Sequence, residues 1–198
     1  MKRVKSTKEP TKFDERCRKR GRKWLKENPK YRRPKNYWSE FEPQLRAAFG
    51  DLCGYCVMVT MKSQVDHFIP VAMLKKQKKH VQAYEWTNFR YGEGVLNQRK
   101  SNHLVLDPFK VKDNWFEIQL PSLQLVLTHS VPIAQRPLAE FTIDRLGLAH
   151  SEVVVRYRRK WFEMYCDRKL TLDGLKDVAP LIASAVERDL VNGTDWRM

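Results

Sequence analysis

Cysteine is scarce in this chain. Cys17, Cys53, Cys56 and Cys166 are the four among 198 residues, too few and too scattered for a disulfide framework. A reducing cytoplasm is therefore the expected location. No apolar run approaches the length of a membrane span, so no membrane partner is expected. The first residues are charged and lack an apolar h-region, which argues against a secretory signal. Internal repeats are absent, and no low-complexity block stands out beyond a charged N-terminal stretch. Acidic residues are the last shortage: 23 Asp and Glu face 38 Lys and Arg, a formal net charge of +15. With 42% hydrophobic residues, the chain can still bury a core, as one medium domain or a small domain with a tail.

The positive charge is concentrated. Residues 1–36 hold 16 Lys and Arg against 4 Asp and Glu, while the rest of the chain holds 22 against 19. A block of like charge repels itself and often serves as an interaction arm. Such an arm binds nucleic acid through phosphates, with strong salt dependence and little sequence information. Arg18, Arg20, Arg22, Lys23, Arg32 and Arg33 are the expected phosphate contacts there, with Trp24 or Tyr31 as minor stacking groups. The plainer alternative is a solvated tail. Arg156, Arg158, Arg159 and Lys160 form a second basic run, either a solvated helix face or a further phosphate track.

Residues 1–12 read as disordered, 13–25 as a basic helix, and 28–37, broken by Pro29 and Pro34, as a linker. Ser39 is a candidate N-cap for a helix that Gly50 stops. Cys53-Gly54-Tyr55-Cys56 reads as a knuckle turn. Residues 57–60 and 64–68 are β-prone runs with a turn between them, and 72–80 reads as a basic helix or loop. Gly92-Glu93-Gly94 reads as a turn that leads into a short helix through Asn97 and Lys100. Beyond Asp107-Pro108, residues 115–120 and 123–127 alternate like a hairpin, and helices are expected over 138–146, 153–165 and 175–191. Three segments follow: a basic arm and linker (1–37), a central unit (38–110), and a hairpin with a helical extension (111–198).

The central unit carries the chemistry. Asp66-His67 is followed by Asn88 and then by Asn97-Gln98-Arg99-Lys100. Phosphodiester hydrolysis needs an activated water and a group to withdraw charge from the transition state. His67 suits the first task, because an unperturbed imidazole titrates near neutrality. Asp66 suits the second as a hard oxygen ligand for Mg²⁺ or Mn²⁺. Neighbouring strand residues face opposite ways, so both serve one site only where the strand ends, and Ile69-Pro70 supplies an end. Asn97 offers a second oxygen to the ion, with His103 as the alternative ligand near the same helix end. Asn88 is placed to bond one His67 ring nitrogen and fix its tautomer. Lys100 lies one turn from Asn97 and, with Arg99, is expected at a phosphate.

Val65-Asp66-His67-Phe68-Ile69-Pro70, then Asn88, then Asn97 to Asn102 resemble the HNH endonucleases. The resemblance implies an α+β fold in which a ββα-metal core is embedded in a mostly helical domain. It implies His67 as general base, Asp66 and Asn97 as metal ligands, and Asn88 as the group that orients His67. Tyr84 to Asn88, Leu106-Asp107-Pro108 and Thr142 to Leu148 are similar to the stand-alone HNH nucleases of bacterial retron and Septu antiphage systems. That narrower likeness implies a defence effector with a partner ATPase.

The chain departs from the family at one place. Cys53 and Cys56 look like the first of two CxxC pairs that share a structural zinc. Glu93 and Leu96 stand where the second pair falls. Two thiolates do not fill a tetrahedral zinc site, so the preferred reading is two small buried residues at a tight turn. The expected function is a metal-dependent DNA endonuclease or nickase. Its rivals are a catalytically silent nucleic-acid-binding module and a homing-type or phage HNH endonuclease.

Overall fold

The structure is a computed structural model that describes every residue except Arg3, Ser6, Thr7, Met61 and Met198. It is an α+β fold, with short helices around two separate two-stranded sheets. The chain opens with a π-helical stretch, Asp14–Lys19, that continues into α1 (Arg20–Glu27). A 3₁₀ turn, Ser39–Phe41, leads into α2 (Glu42–Ala48). Strand β1 (Ser63–His67) is followed by α3 (Val71–Lys76), and β2 (Phe89–Glu93) runs directly into α4 (Gly94–Lys100). A hairpin, β3 (Phe116–Gln119) and β4 (Gln124–Leu127), precedes α5 (Arg136–Leu146), α6 (Glu152–Cys166), α7 (Leu172–Val178) and α8 (Pro180–Val191). Among the described residues, no helix is long and apolar enough to cross a membrane.

Several boundaries follow from local chemistry. Ser39 does not cap α2. Its backbone N–H instead takes the Asn36 side-chain oxygen at 3.0 Å, and Phe41 precedes the α-helix. The helix expected over 175–191 is two, because Pro180 cannot continue α7 and starts α8. Residues 57–60 form no strand. They give one isolated bridge, Leu52 to Val59, and β1 pairs antiparallel with β2. The glycines that read as a turn thus bracket the end of a strand whose five residues are all buried.

The β1–β2 sheet separates two cores. One gathers Phe13, Cys17, Phe41, Leu74, Tyr84, Trp86 and Phe89. Phe13 stacks edge-on against Phe41 at 5.0 Å and Trp86 at 5.4 Å, so the basic N-terminal helix is anchored by its apolar stripe. Full burial of such a side chain contributes about 1.5–3 kcal/mol. The other core gathers Tyr55, Leu96, Trp115 and Ile118 with the C-terminal helices. The disorder expected over 1–12 is not seen at its described residues: Met1 is buried, and Val4 N–H bonds the Pro108 carbonyl at 3.0 Å.

Candidate active site

The antiparallel register sets Asp66 opposite Arg90 and His67 opposite Phe89. Side chains alternate along a strand, so Asp66 and His67 face opposite sides of the sheet. β1 stays regular through His67, and the strand end expected to bring the two together comes one residue too late.

On the Asp66 side the sheet carries a buried charged layer. Helix α4 lies over this face, and its turn matches the strand repeat: Asn97 donates to Gln64 Oε1 at 3.0 Å, and Lys100 Nζ donates to Asp66 Oδ1 at 2.9 Å. The Tyr55 hydroxyl donates to Asp66 Oδ2. Burial, with the Asp66 charge beside it, holds the Tyr55 phenol well above its usual range, so it stays a donor. Arg90 grips Asp107 with two hydrogen bonds, 2.7 and 2.8 Å, next to the first pair. Both acids and both bases are buried, Lys100 at 1% exposure and Asp66 at 2%. Each ion pair compensates its own charge, the condition under which ions tolerate burial.

This layer corrects two expectations. Lys100 does not face a phosphate. It points inward and also donates to the His67 carbonyl at 2.7 Å. Asp66 does not present a carboxylate to a metal ion, because both oxygens are engaged and the Lys100 ammonium already supplies the compensating positive charge. Among the described residues, no group of three His, Cys, Asp or Glu side chains is disposed to hold an ion. As arranged, Asp66 and Asn97 do not fit Mg²⁺ or Mn²⁺. His103, the alternative ligand, turns its Nδ1 to the Lys100 carbonyl at 3.2 Å and its ring to Phe141.

His67 lies on the other face, partly exposed. Trp38 meets its ring edge-on at 4.6 Å and Phe89 at 5.3 Å. Its Nε2 is 2.9 Å from the Ala83 carbonyl oxygen. A carbonyl only accepts, so Nε2 carries the proton and Nδ1 keeps the lone pair. Burial lowers the His67 pKa below the ordinary imidazole value, with Lys100 assisting, against the raising effects of the Ala83 bond and Asp66. The neutral, proton-accepting form is therefore favoured at neutral pH.

Asn88 does not touch the His67 ring. Its side-chain oxygen accepts from Ile69 N–H at 2.7 Å, and its amide donates to the Ile69 carbonyl at 3.2 Å and the Gln82 carbonyl at 3.3 Å. It ties the backbone after β1 to the 3₁₀ turn, His80–Tyr84, that contains Ala83. The tautomer is set by a main-chain carbonyl, which leaves no side-chain signature in a sequence. Asn88 fixes where that carbonyl stands.

The expected phosphate contacts divide. Arg18 is consumed by Glu9, Asp14 and Glu85, and Arg22 shares Glu85 at 2.8 Å. Arg20 stacks over Tyr37 at 4.5 Å, and Lys23 lies 3.9 Å from Glu27. Arg99 donates to the Leu146 carbonyl at 3.1 Å. Arg32 and Arg33 are exposed and border a surface hollow with Trp24, Lys30 and Tyr31. The segment that carries them passes the His67 side of the sheet: the Tyr84 hydroxyl donates to the Lys35 carbonyl at 2.9 Å, and Trp38 covers the imidazole. Arg158, from the second basic run, is fully buried and donates to the Leu123 carbonyl at 3.0 Å. It belongs neither to a solvated face nor to a phosphate track.

The cysteine pair forms the expected turn. Val57 N–H closes it on the Cys53 carbonyl at 2.9 Å. The Cys53 sulfur accepts from Tyr55 N–H at 3.4 Å and from Glu93 N–H at 3.3 Å. Burial pushes the Cys53 thiol up, but hydrogen bonds from Cys56, Glu93 and Tyr55 outweigh it and hold its pKa below the usual value. Cys56 is raised by its bond to Cys53 and by burial. The groups acting on the pair from across the core are the Met1 amine, pushed down to about 4 chiefly by burial, and the Arg158 guanidinium. Neither completes a tetrahedral thiolate site, so this turn does not fit a structural zinc.

Compared with protein-family models, curated proteins and solved structures, the chain matches none of them.

Proposed function

We propose that the protein is a phosphodiester hydrolase acting on DNA, an endonuclease or nickase in which His67 takes the proton from the attacking water. One observation carries the reading: the 2.9 Å bond from His67 Nε2 to the Ala83 carbonyl, which leaves Nδ1 as the free base in a setting that keeps the ring neutral. Two features support it. The order β1, β2, α4 is compatible with a ββα-metal unit of the HNH kind. The basic segment around Arg32, Arg33 and Lys35 passes the same face of the sheet as His67, where it attracts a phosphate backbone.

Mg²⁺ is what the HNH resemblance implies, and the engaged carboxylate of Asp66 does not fit it, so no step is drawn through an ion. A role beside a partner ATPase in antiphage defence rests on the sequence resemblance alone. The test is relaxation of supercoiled plasmid by the purified protein with Mg²⁺, with Mn²⁺ and with EDTA. Conversion to nicked or linear DNA supports the proposal. Intact plasmid under every condition, with DNA still bound, favours the second reading, a catalytically silent DNA-binding module. That reading is favoured by the Lys100–Asp66 pair, which removes the acid from chemistry.

A further inference from the structure

A cavity of about 360 Å³ lies beside the candidate site, bordered by Phe68, Asp107, Lys110, Trp115, Gln135 and Leu138. Its size is in the range of small-ligand pockets, about 300–1,000 Å³. Phe68 follows His67 directly in the chain, and the Arg90 guanidinium sits 4.8 Å over its ring. Asp107 is spent on Arg90, so the cavity offers no free carboxylate to a cation. Trp115 is 5% exposed, and its buried indole N–H has no hydrogen-bond partner among the described residues. A buried donor without an acceptor is costly, and a ligand that brings an acceptor removes that cost. Lys110 and Gln135 are exposed at the rim.

We infer that this cavity binds one unpaired nucleobase of the strand under attack. The walls supply what a base requires: the aromatic rings of Phe68 and Trp115, an apolar side chain from Leu138, and one indole donor for a ring nitrogen or carbonyl oxygen. Lys110 at the rim suits the phosphate that flanks it. A polyanion does not fit the apolar interior, and a cation finds no free acid. A base reaches such a cavity only when it leaves the helical stack, so the preferred substrate is single-stranded or locally unpaired DNA. The inference rests on the nuclease reading for its ligand, and its test does not depend on cleavage.

The experiment is fluorescence anisotropy with a labelled single-stranded oligonucleotide in EDTA. One base at a time is replaced by an abasic site. At one position the loss of the base weakens binding by roughly five- to a hundred-fold, the usual effect of one stacked base. Leu138→Trp, which fills the cavity from a position 37% exposed, abolishes the difference between base and abasic site there. Trp115→Phe keeps a ring, removes the donor and reduces the difference. Should Leu138→Trp fail to fold by circular dichroism, Gln135→Trp fills the cavity from the exposed rim. Uniform binding at every abasic position overturns the inference, as does a penalty that both cavity-filling variants leave unchanged or an absence of single-strand binding. Plasmid relaxation tests the nuclease reading separately. A protein that cuts without a base-sensitive position defeats this inference alone, and one that shows the position without cutting defeats the catalytic reading alone.

Discussion

Replacing Lys100 by Met removes a charge that the structure places inside the protein. Lys100 Nζ spans 2.9 Å to Asp66 Oδ1 and 2.7 Å to the His67 carbonyl, at 1% exposure. Met matches the stem and leaves Asp66 as a buried carboxylate whose remaining donor is Tyr55. Breaking one side of such a pair costs about 3–5 kcal/mol. With a urea m-value of about 1–3 kcal/mol/M, the midpoint falls by roughly 2 M. That is a large share of the ~5–15 kcal/mol that holds a domain of ordinary stability together. Asp66→Asn strands the other charge and is costly too. The double variant removes both charges and costs less than the sum of the singles, with a coupling of about 1–3 kcal/mol. Urea unfolding of the four proteins gives the cycle. Additivity within about 0.5 kcal/mol, or a Lys100→Met loss below that, refutes the buried layer as the element that fixes α4 on β1. A phosphate-binding lysine behaves in the opposite way, with little effect on stability and a shallower salt dependence of DNA binding.

Four further outcomes follow. The acid limb of the cleavage rate lies below pH 6.5, because burial lowers the His67 pKa and keeps the base neutral there; a pH profile of single-turnover rates checks this. Stability carries the same sign: full above the ordinary imidazole pKa, it declines as pH falls through the lowered His67 value, and His67→Gln flattens that part of the curve in urea titrations. Gly21→Ala destabilises by about 1–3 kcal/mol, since an added Cβ falls 2.3 Å from the Tyr84 ring; thermal unfolding reads the loss. Arg32→Ala and Arg33→Ala each lower the slope of log affinity against log salt by about 0.9 on duplex DNA, while Arg18→Ala, tied to three acids, leaves the slope unchanged and reduces stability.

Much of the helical frame was legible in the sequence. The apolar spacing expected over 138–146 and 153–165 corresponds to α5 and α6, and the alternation around Pro121-Ser122 to the β3–β4 hairpin. These elements carry their pattern locally. Strand β2 does not: its partner is 26 residues upstream at the paired ends His67 and Asp66, Gly92 suggests a turn, and burial on both faces erases alternation. The site was legible as residue types and less so as roles. Asp66, His67, Asn88 and Asn97 do cluster along β1, β2 and α4. Strand alternation parts Asp66 from His67, and the Ala83 carbonyl does the work assigned to Asn88, invisibly to any reading of side chains. Lys100 looked like a surface cation because its helix is short and polar. The matched repeats of α4 and β1 turn it inward instead. Phe68, Trp86 and Val95 were expected to make the site rigid by apolar packing. Trp86 is buried in the core beneath His67, while two ion pairs stiffen the opposite face.

The central claim is that His67 is the base of a phosphodiester hydrolase. Its most direct test is the single-turnover rate of plasmid nicking by the wild-type protein and by His67→Ala, each shown to be folded by circular dichroism. The account predicts nicking by the wild type and a loss of about 10²–10⁴-fold in the variant. Equal rates in the two proteins contradict it.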